Sequence, residues 1–488
     1  MAAGPNVILI CVDQWRGDAL CVAGHPVVDT PFLDELAMDG VRFSQAYSET
    51  PSCIPARAAL HTGMNPANHG RVGYQDGVAW NYPTTLAGEF SRHGYHTHAV
   101  GKMHVFPERE RLGFHDVVLH DGYLHFARRR SSPYQTLDDY LPWLHERIGP
   151  RADYFDHGVN CNSNVARPWD KEESLHPTNF VVTKGLEFLE RRDPRKPFFL
   201  FLSFHRPHPP YDPPAWAFDQ YLQASMPDVP VGDWVSYFDR YDESDRPDCM
   251  RGTVSADRLR RARAGYYGHM THIDHQLKRL FEGLVDFSLE KDCWICFTSD
   301  HGELMGDHHF FRKALPYRGS ALVPLIVRGP SGSGVQGGSV VDHVVALRDI
   351  MPTLLACANI EIPRSVDGES LVPLLRGGAS GPRGYLHGEH TWRDTSLHFL
   401  TDGRAKYIWF SRDGHEQLFD IADDPDELHD RAHDQDAAAE LDKWRSRLVR
   451  ELTGREEGFT DGSVLIPGRP VTSVLSSIER YAYPRPAT

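Results

Sequence analysis

The feature that most constrains this chain is a series of short apolar runs, each followed at once by a polar or charged cluster. Residues 7–12, 96–100, 198–204, 293–299 and 324–327 are near-continuous runs rich in β-branched and aromatic side chains. Their length suits strands, and their continuity suits strands buried on both faces. Helical stretches lie between them, at 84–93, 177–191 and 266–287. This alternation predicts an α/β fold: a mostly parallel sheet sandwiched by helices. A chain of 488 residues has room for one large domain and a smaller one.

The pattern changes after residue 375. Residues 1–375 are read as the large α/β domain and 376–488 as a small C-terminal α+β subdomain. The latter should hold short antiparallel strands at 397–401, 406–410 and 416–419, with turns at Asp402-Gly403 and Asp413-Gly414. A helix over 434–453 follows, then an extended tail carrying Pro467, Pro470, Pro484 and Pro486. Such an arm suits contact with another subunit, so a homo-oligomer is an expectation. The Pro- and Asp-rich segment 205–260 is predicted irregular.

The formal net charge of −15 argues against nucleic acid or an anionic membrane as partner. An anionic substrate would therefore need a local cluster of cations. No run of about 18 apolar residues exists to span a bilayer. The start of the chain lacks a basic leader and a small-residue cleavage site, so a cytoplasmic location is expected. The eight cysteines are expected to stay reduced. Cys293 and Cys296 lie three apart in a predicted strand, so they should face opposite cores rather than a shared metal.

Open α/β sheets bind ligands beyond the carboxyl ends of their strands. The run ending at 12 delivers Asp13-Gln14, and the run ending at 100 delivers Gly101-Lys102-Met103-His104. The runs ending at 204 and 299 deliver His205-Arg206-Pro207-His208 and Asp300-His301-Gly302. Asp13, Gln14, Asp300 and His301 can share one cation, and the oxygen donors suit calcium or magnesium. A single imidazole nitrogen leaves manganese open. Cys53 stands at the start of a helix beginning near Pro55, where backbone N–H groups favour a thiolate or another anion. Lys102 and His104 share a face if the segment is extended. Lys313 adds a further cation close after Asp300-His301. Tyr123, His125, Trp169, Tyr211 and Trp216 are aromatic candidates for a substrate pocket, with core packing the more ordinary role of each.

These motifs resemble the sulfatase family of the alkaline phosphatase superfamily. Cys53-x-Pro55-x-Arg57 with Thr62-Gly63 is similar to the signature that a maturation enzyme reads when it oxidises the cysteine to formylglycine. Gly101-Lys102-x-His104, Pro207-His208, Ser299-Asp300-His301-Gly302 and Lys313 follow in the family's order. The stretch from Glu416 to Ile421, then Asp424-Pro425-Asp426-Glu427, resembles the family's small-subdomain ending. The resemblance spans nearly the whole chain and implies an alkaline-phosphatase-like fold. Two departures stand out: Asp13-Gln14 where many members have two aspartates, and Asp300-His301 where many have Asp-Asn. Both are similar to choline sulfatases and phosphonate monoester hydrolases, whereas the Lys102–His104 pair looks like the sulfatase side.

The resemblance implies hydrolysis of a sulfate monoester by a metal-bound formylglycine diol at position 53. Asp13, Gln14, Asp300, His301 and the modified Cys53 would hold the divalent cation, calcium first. Arg57 would orient the diol, and Lys102 and Lys313 would bind sulfate oxygens. His208 would protonate the leaving alcohol, and His104 would be the base that expels sulfate. The nearest alternative is a phosphonate monoester or phosphodiester hydrolase. Remoter ones are a thiol hydrolase using Cys53 with His104 or His208, and a non-catalytic binding protein with unmodified Cys53.

Overall fold

The structure is a computed structural model that describes residues 4–122, 137–244 and 246–481. Alternation along the first strand sets its layers. In β1 (Asn6–Asp13), Ile8, Ile10 and Val12 enter one core, and Val7, Leu9 and Cys11 enter the other. Helices Pro31–Asp39, Pro177–Arg191 and Ala256–Asp286 cover the first core. Helices Cys53–Thr62, Leu86–Arg92 and Ile350–Cys357 cover the second. A strand buried on both faces needs apolar residues at every position, which is why the run does not alternate.

The other strands of this sheet are β2 (Val41–Phe43), β4 (His96–Gly101), β5 (Asp116–Leu119), β6 (Phe198–Pro207), β7 (Cys293–Ser299), β8 (Leu325–Arg328) and β9 (Ser339–Val341). Among the described residues the order is β5-β4-β6-β1-β7-β8-β2-β9. The stretch from β5 to β7 is parallel throughout, and β8 runs against both its neighbours. The short strands β3 (Ala46–Tyr47) and β10 (Val345–Ala346) pair separately. The fold is thus the expected alkaline-phosphatase-like α/β sandwich. Cys293 and Cys296 fall in opposite cores, and all eight cysteines are free thiols. No helix among the described residues is long and apolar enough to cross a membrane.

The C-terminal part is an antiparallel meander, β11 (Leu386–Trp392), β12 (Thr395–Thr401), β13 (Ala405–Phe410) and β14 (Glu416–Asp420), backed by helix Ala438–Leu452. Sequence reasoning missed β11, because Leu-His-Gly-Glu-His-Thr-Trp has no clear period-two pattern. The tail folds back on its own chain: Val72 N donates to Ser473 O at 3.0 Å and Leu475 N to Gly70 O at 2.8 Å. The segment 205–260 is less irregular than expected. It holds helix Ala215–Leu222, a 3-10 turn at Val235–Tyr241 and the start of the long helix at Ala256. The first turns of that helix carry Arg258, Arg260, Arg261 and Arg263, so no clean apolar stripe announces them. Its start is set by Ser255, whose hydroxyl accepts the Arg258 N–H at 3.3 Å.

Parallel register brings four strand ends to one rim. Gly101 pairs with Ser203, Asp13 with Pro207, and Val12 with Ser299. Gly101 turns the chain there with φ +100°, and a Cβ at this position would stand 1.8 Å from Ser203 O. Gly24 has a similar φ of +88° with nothing within 4 Å of its added Cβ. Gly24→Ala should therefore cost only the left-handed strain, about 1–2 kcal/mol. Gly101→Ala should cost a further ~1–3 kcal/mol from forced backbone movement. Urea unfolding of both variants checks this, and equal losses would refute the packing argument.

Candidate active site

Each strand end contributes to one buried cluster. Asp13 closes β1 and Asp300 follows β7, and both are fully buried. Their carboxylates lie beside His301, whose Nε2 is 3.4 Å from Asp13 Oδ1 and 3.6 Å from Asp300 Oδ1. His301 Nδ1 is 2.9 Å from Gly302 O, so Nδ1 carries a proton and Nε2 faces the carboxylates. The ring turns toward Cys53, with Sγ 3.2 Å from Nε2, and Sγ is 3.7 Å from Asp13 Oδ1.

Cys53 opens helix Cys53–Thr62 directly, two residues earlier than the start expected near Pro55. Ser52 precedes it in an extended conformation, and its hydroxyl is 2.7 Å from His390 Nε2 on β11 rather than on the helix amides. One helical turn later, Arg57 Nε donates to Asp300 Oδ2 at 2.9 Å. Arg57 Nη1 donates to Lys102 O at 2.8 Å and to Ser203 Oγ at 2.9 Å. The guanidinium thus locks the Asp300 carboxylate to the ends of β4 and β6.

Lys102 is fully buried and its ammonium bonds Asp13 Oδ2. Lys102 and His104 do converge, but not as neighbours on an extended strand. His104 has φ 55°, and Asp121 Oδ1 accepts from Met103 N at 2.8 Å and His104 N at 2.9 Å. His104 Nε2 stands 3.7 Å from Asp76 Oδ1 and its ring also bonds Cys53. His208 is buried, with Nδ1 2.9 Å from Pro209 O and its backbone N donating to Asp13 O at 3.2 Å. Gln14 has φ 73°, and its amide lies between Glu303, which accepts from Nε2, and Lys313, which donates to Oε1 at 2.5 Å. Trp169 and Tyr211 are buried and Trp216 is exposed, while Tyr123 and His125 lie outside the described residues.

Electrostatics follow from burial set against close charges. Burial pushes the Asp13 carboxyl up, but Lys102, His208 and His301 together hold it well below the usual range. Burial and Asp13 push Asp300 up, opposed by His301 and Arg57. Burial and Asp13 also raise the Cys53 thiol, yet Lys102, Lys313 and His301 bring it well below its ordinary value. Side-chain cations therefore reinforce what a helix start alone would supply. His301 is pushed up to about 9, because Asp300 and Cys53 outweigh burial. His208 is pushed well down by burial and Lys313. His104 rises, since Asp76 and Cys53 outweigh burial and Lys102.

The donor set fits a divalent cation. One ligand atom from each of Asp13, Cys53, Asp300 and His301 lies within 4.8 Å of the others, and all four residues are buried. Two carboxylates and one imidazole match a hard cation. A second histidine cluster does not fit one. His176, His269 and His272 also present nitrogens within 4.8 Å of one another. But the Thr178 N–H occupies His176 Nδ1 at 3.1 Å, so that ring carries its proton on Nε2 and has no lone pair left for a metal, and His269 Nε2 is engaged with Pro210 O and Asp212 Oδ1, each at 3.1 Å.

The comparisons with known proteins agree with this geometry. The family model described as Sulfatase matches residues 5–360, and that for the N-sulphoglucosamine sulphohydrolase C-terminal region matches 306–454. The chain belongs to the sulfatase family. It is a sulfuric ester hydrolase. An arylsulfatase of Clostridium perfringens (strain 13 / Type A) is 48% identical over 476 residues, covering 96% of this chain and 99% of that protein. A choline-sulfatase of Rhizobium meliloti (strain 1021) is 28% identical, covering 87% of this chain and 81% of that one. The solved phosphonate monoester hydrolase of Agrobacterium radiobacter has TM-score 0.75 and 28% identity, covering 91% of this chain and 95% of that one.

Sequence reasoning overlooked Ser203, Asp76, Asp121, His390 and Glu303. Ser203 and Glu303 were legible in principle, one inside an apolar strand run and one directly after Gly302. Asp76 and His390 reach the sulfatase site from distant loops and strands, which no local pattern announces. One expectation follows from the buried Lys102–Asp13 pair. Lys102→Met leaves the buried Asp13 carboxylate with His301 as its nearest cation and should destabilise the cation-free protein by about 1–3 kcal/mol. A saturating divalent cation should shrink that deficit, by supplying a positive charge beside Asp13. Denaturant unfolding with chelator and then with cation tests both halves.

Proposed function

We propose that this site hydrolyses sulfate monoesters, aryl sulfates among them, to an alcohol and inorganic sulfate, with formylglycine formed from Cys53 at its centre. The carrying observation is the convergence on Cys53 of Asp13, Asp300, His301 and the charges of Lys102 and Lys313. Formylglycine supplies a hydrated aldehyde, hence a nucleophilic oxygen, where the thiol stands. A divalent cation would be held by Asp13, residue 53, Asp300 and His301, with Gln14 at the edge, and lowers the pKa of that oxygen. Calcium suits the oxygen donors best, with manganese or magnesium as alternatives. His301 would hold the cation through Nε2, in the neutral form of the ring.

The other side chains have separable tasks. Arg57 is a positioning residue that fixes Asp300 and adds positive potential at residue 53. Lys102 and Lys313 bind sulfate oxygens and stabilise the charge that grows on them. His208 is neutral in the empty pocket, and an anionic ester beside it raises its proton affinity, so it can protonate the departing alcohol. His104 takes the proton from residue 53 that releases sulfate, since Asp76 raises its basicity. Cys53 is 1% exposed, so its oxidation by a maturation enzyme has to precede completion of the fold.

The likeness to a solved phosphonate monoester hydrolase favours a second reading, hydrolysis of phosphonate monoesters or phosphodiesters at the same site. The ratio of kcat/KM on aryl sulfate and aryl phosphonate esters decides between them, and the first reading expects sulfate to win.

Two outcomes test the chemistry. Asp300→Ala should abolish bound cation and turnover together, read by elemental analysis and assay, and full activity after exhaustive chelation would rule out the cation. Active enzyme should ignore thiol alkylation and lose turnover to hydrazines. Peptide mass spectrometry that finds only unmodified Cys53 in fully active enzyme would falsify the formylglycine reading.

A further inference from the structure

Glu303 is fully buried two residues beyond His301, and no task in the proposed chemistry uses it. Its Oε1 accepts the backbone N–H of Met305 at 2.9 Å and that of Arg312. Its Oε2 accepts the Gln14 amide N–H and the Tyr211 hydroxyl at 3.3 Å. Every contact is a donor, so the side chain acts purely as an acceptor. Two of these donors lead to Lys313. Arg312 is its neighbour in the chain and sits at φ 67°, a strained conformation that the Glu303 bond holds. Gln14 is its side-chain partner, at 2.5 Å from Lys313 Nζ.

The orientation of the Gln14 amide is decided by chemistry. Lys313 can only donate and the Glu303 carboxylate can only accept, so Oε1 must face the lysine and Nε2 the glutamate. Among the described residues no carboxylate lies within 4.0 Å of Lys313 Nζ. Gln14 thus gives the lysine a fixed neutral acceptor, and its charge stays available to an incoming anion. A carboxylate at position 14 would form an ion pair with Lys313 instead. Here that negative charge stands one layer deeper, behind the amide.

We propose that Glu303 is a positioning residue for Lys313, acting through the Gln14 amide and the Arg312 backbone, and thereby sets how the site receives the anionic ester. The proposal rests on the reading that Lys313 touches the substrate. Glu303→Gln offers one acceptor oxygen where four donors need acceptors, and it frees the Gln14 amide to turn its NH2 toward the ammonium. That variant should lose about 10- to 100-fold in kcat/KM on an aryl sulfate, the usual effect of removing a supporting contact. Most of the loss should appear in KM and in weaker inhibition by inorganic sulfate, with bound cation and the modified fraction of Cys53 unchanged. The double variant Glu303→Gln/Gln14→Ala has no amide left for Glu303 to orient. Its kcat/KM should fall no more than about threefold below that of Gln14→Ala alone, whereas a glutamate acting independently of Gln14 would multiply the two losses.

Wild-type kcat/KM in Glu303→Gln, or full multiplication of the two losses in the double variant, overturns the proposal. Lys313→Ala separates the two levels. If it keeps full kcat/KM, the role of Lys313 fails and the proposal falls with it. If it loses activity while Glu303→Gln does not, only the proposal falls. Should Glu303→Gln not fold, Glu303→Asp carries the test: its shortened carboxylate should raise KM and weaken inhibition by inorganic sulfate, and wild-type values in it overturn the proposal.

Discussion

Two carboxylates buried at neighbouring strand ends are the constraint on which the rest of this structure depends. Asp13 and Asp300 have no exposed surface, and an unpaired buried charge is strongly destabilising. The fold answers with cations from separate elements. Lys102, from the end of β4, reaches Asp13, and Arg57, from the helix opened by Cys53, reaches Asp300. Those pairs couple the helix opened by Cys53, β4 and β6 to the sheet rim, because Arg57 also bonds Lys102 O and Ser203 Oγ. Geometry that serves the chemistry is thus also geometry that the buried charges require.

The same balance explains how an acidic chain can receive an anion. The net charge is −15, yet Arg57, Lys102, Lys313 and His301 surround the two carboxylates. A divalent cation bound there would add charge and displace the His301 proton, so the site gains less than two units of positive charge. Such a pocket attracts a monoanion locally while the outer surface repels polyanions in general.

Much of this was legible in the sequence. β7 and helix Pro177–Arg191 fall at the bounds their patterns predict, and the runs of β1, β4 and β6 are each extended by one or more residues at the rim. Parallel strands buried on both faces leave a strong apolar trace, and the residue after each is forced to the same rim. What could not be read is the partner of each charge. Nothing in the sequence pairs Lys102 with Asp13, 89 residues earlier. Its convergence with His104 depends on φ 55° and on Asp121, neither of which a strand period encodes. The long helix began early because a cap and a run of arginines, not an apolar stripe, set its first turns.

Charge does not by itself separate the two ester classes weighed for this site. A sulfate monoester and a phosphonate monoester each present one negative charge and a tetrahedral centre, so Lys102, Lys313 and the cation set would receive both. Discrimination has to come from groups whose pull depends on more than charge. His208, proposed above as the acid, is such a group, and it would matter most when the leaving alcohol is poor. Aryl leaving groups depart with little help, alkyl ones need the proton. Preference among esters in this fold is therefore expected to track the basicity of the leaving group as well as the identity of the central atom.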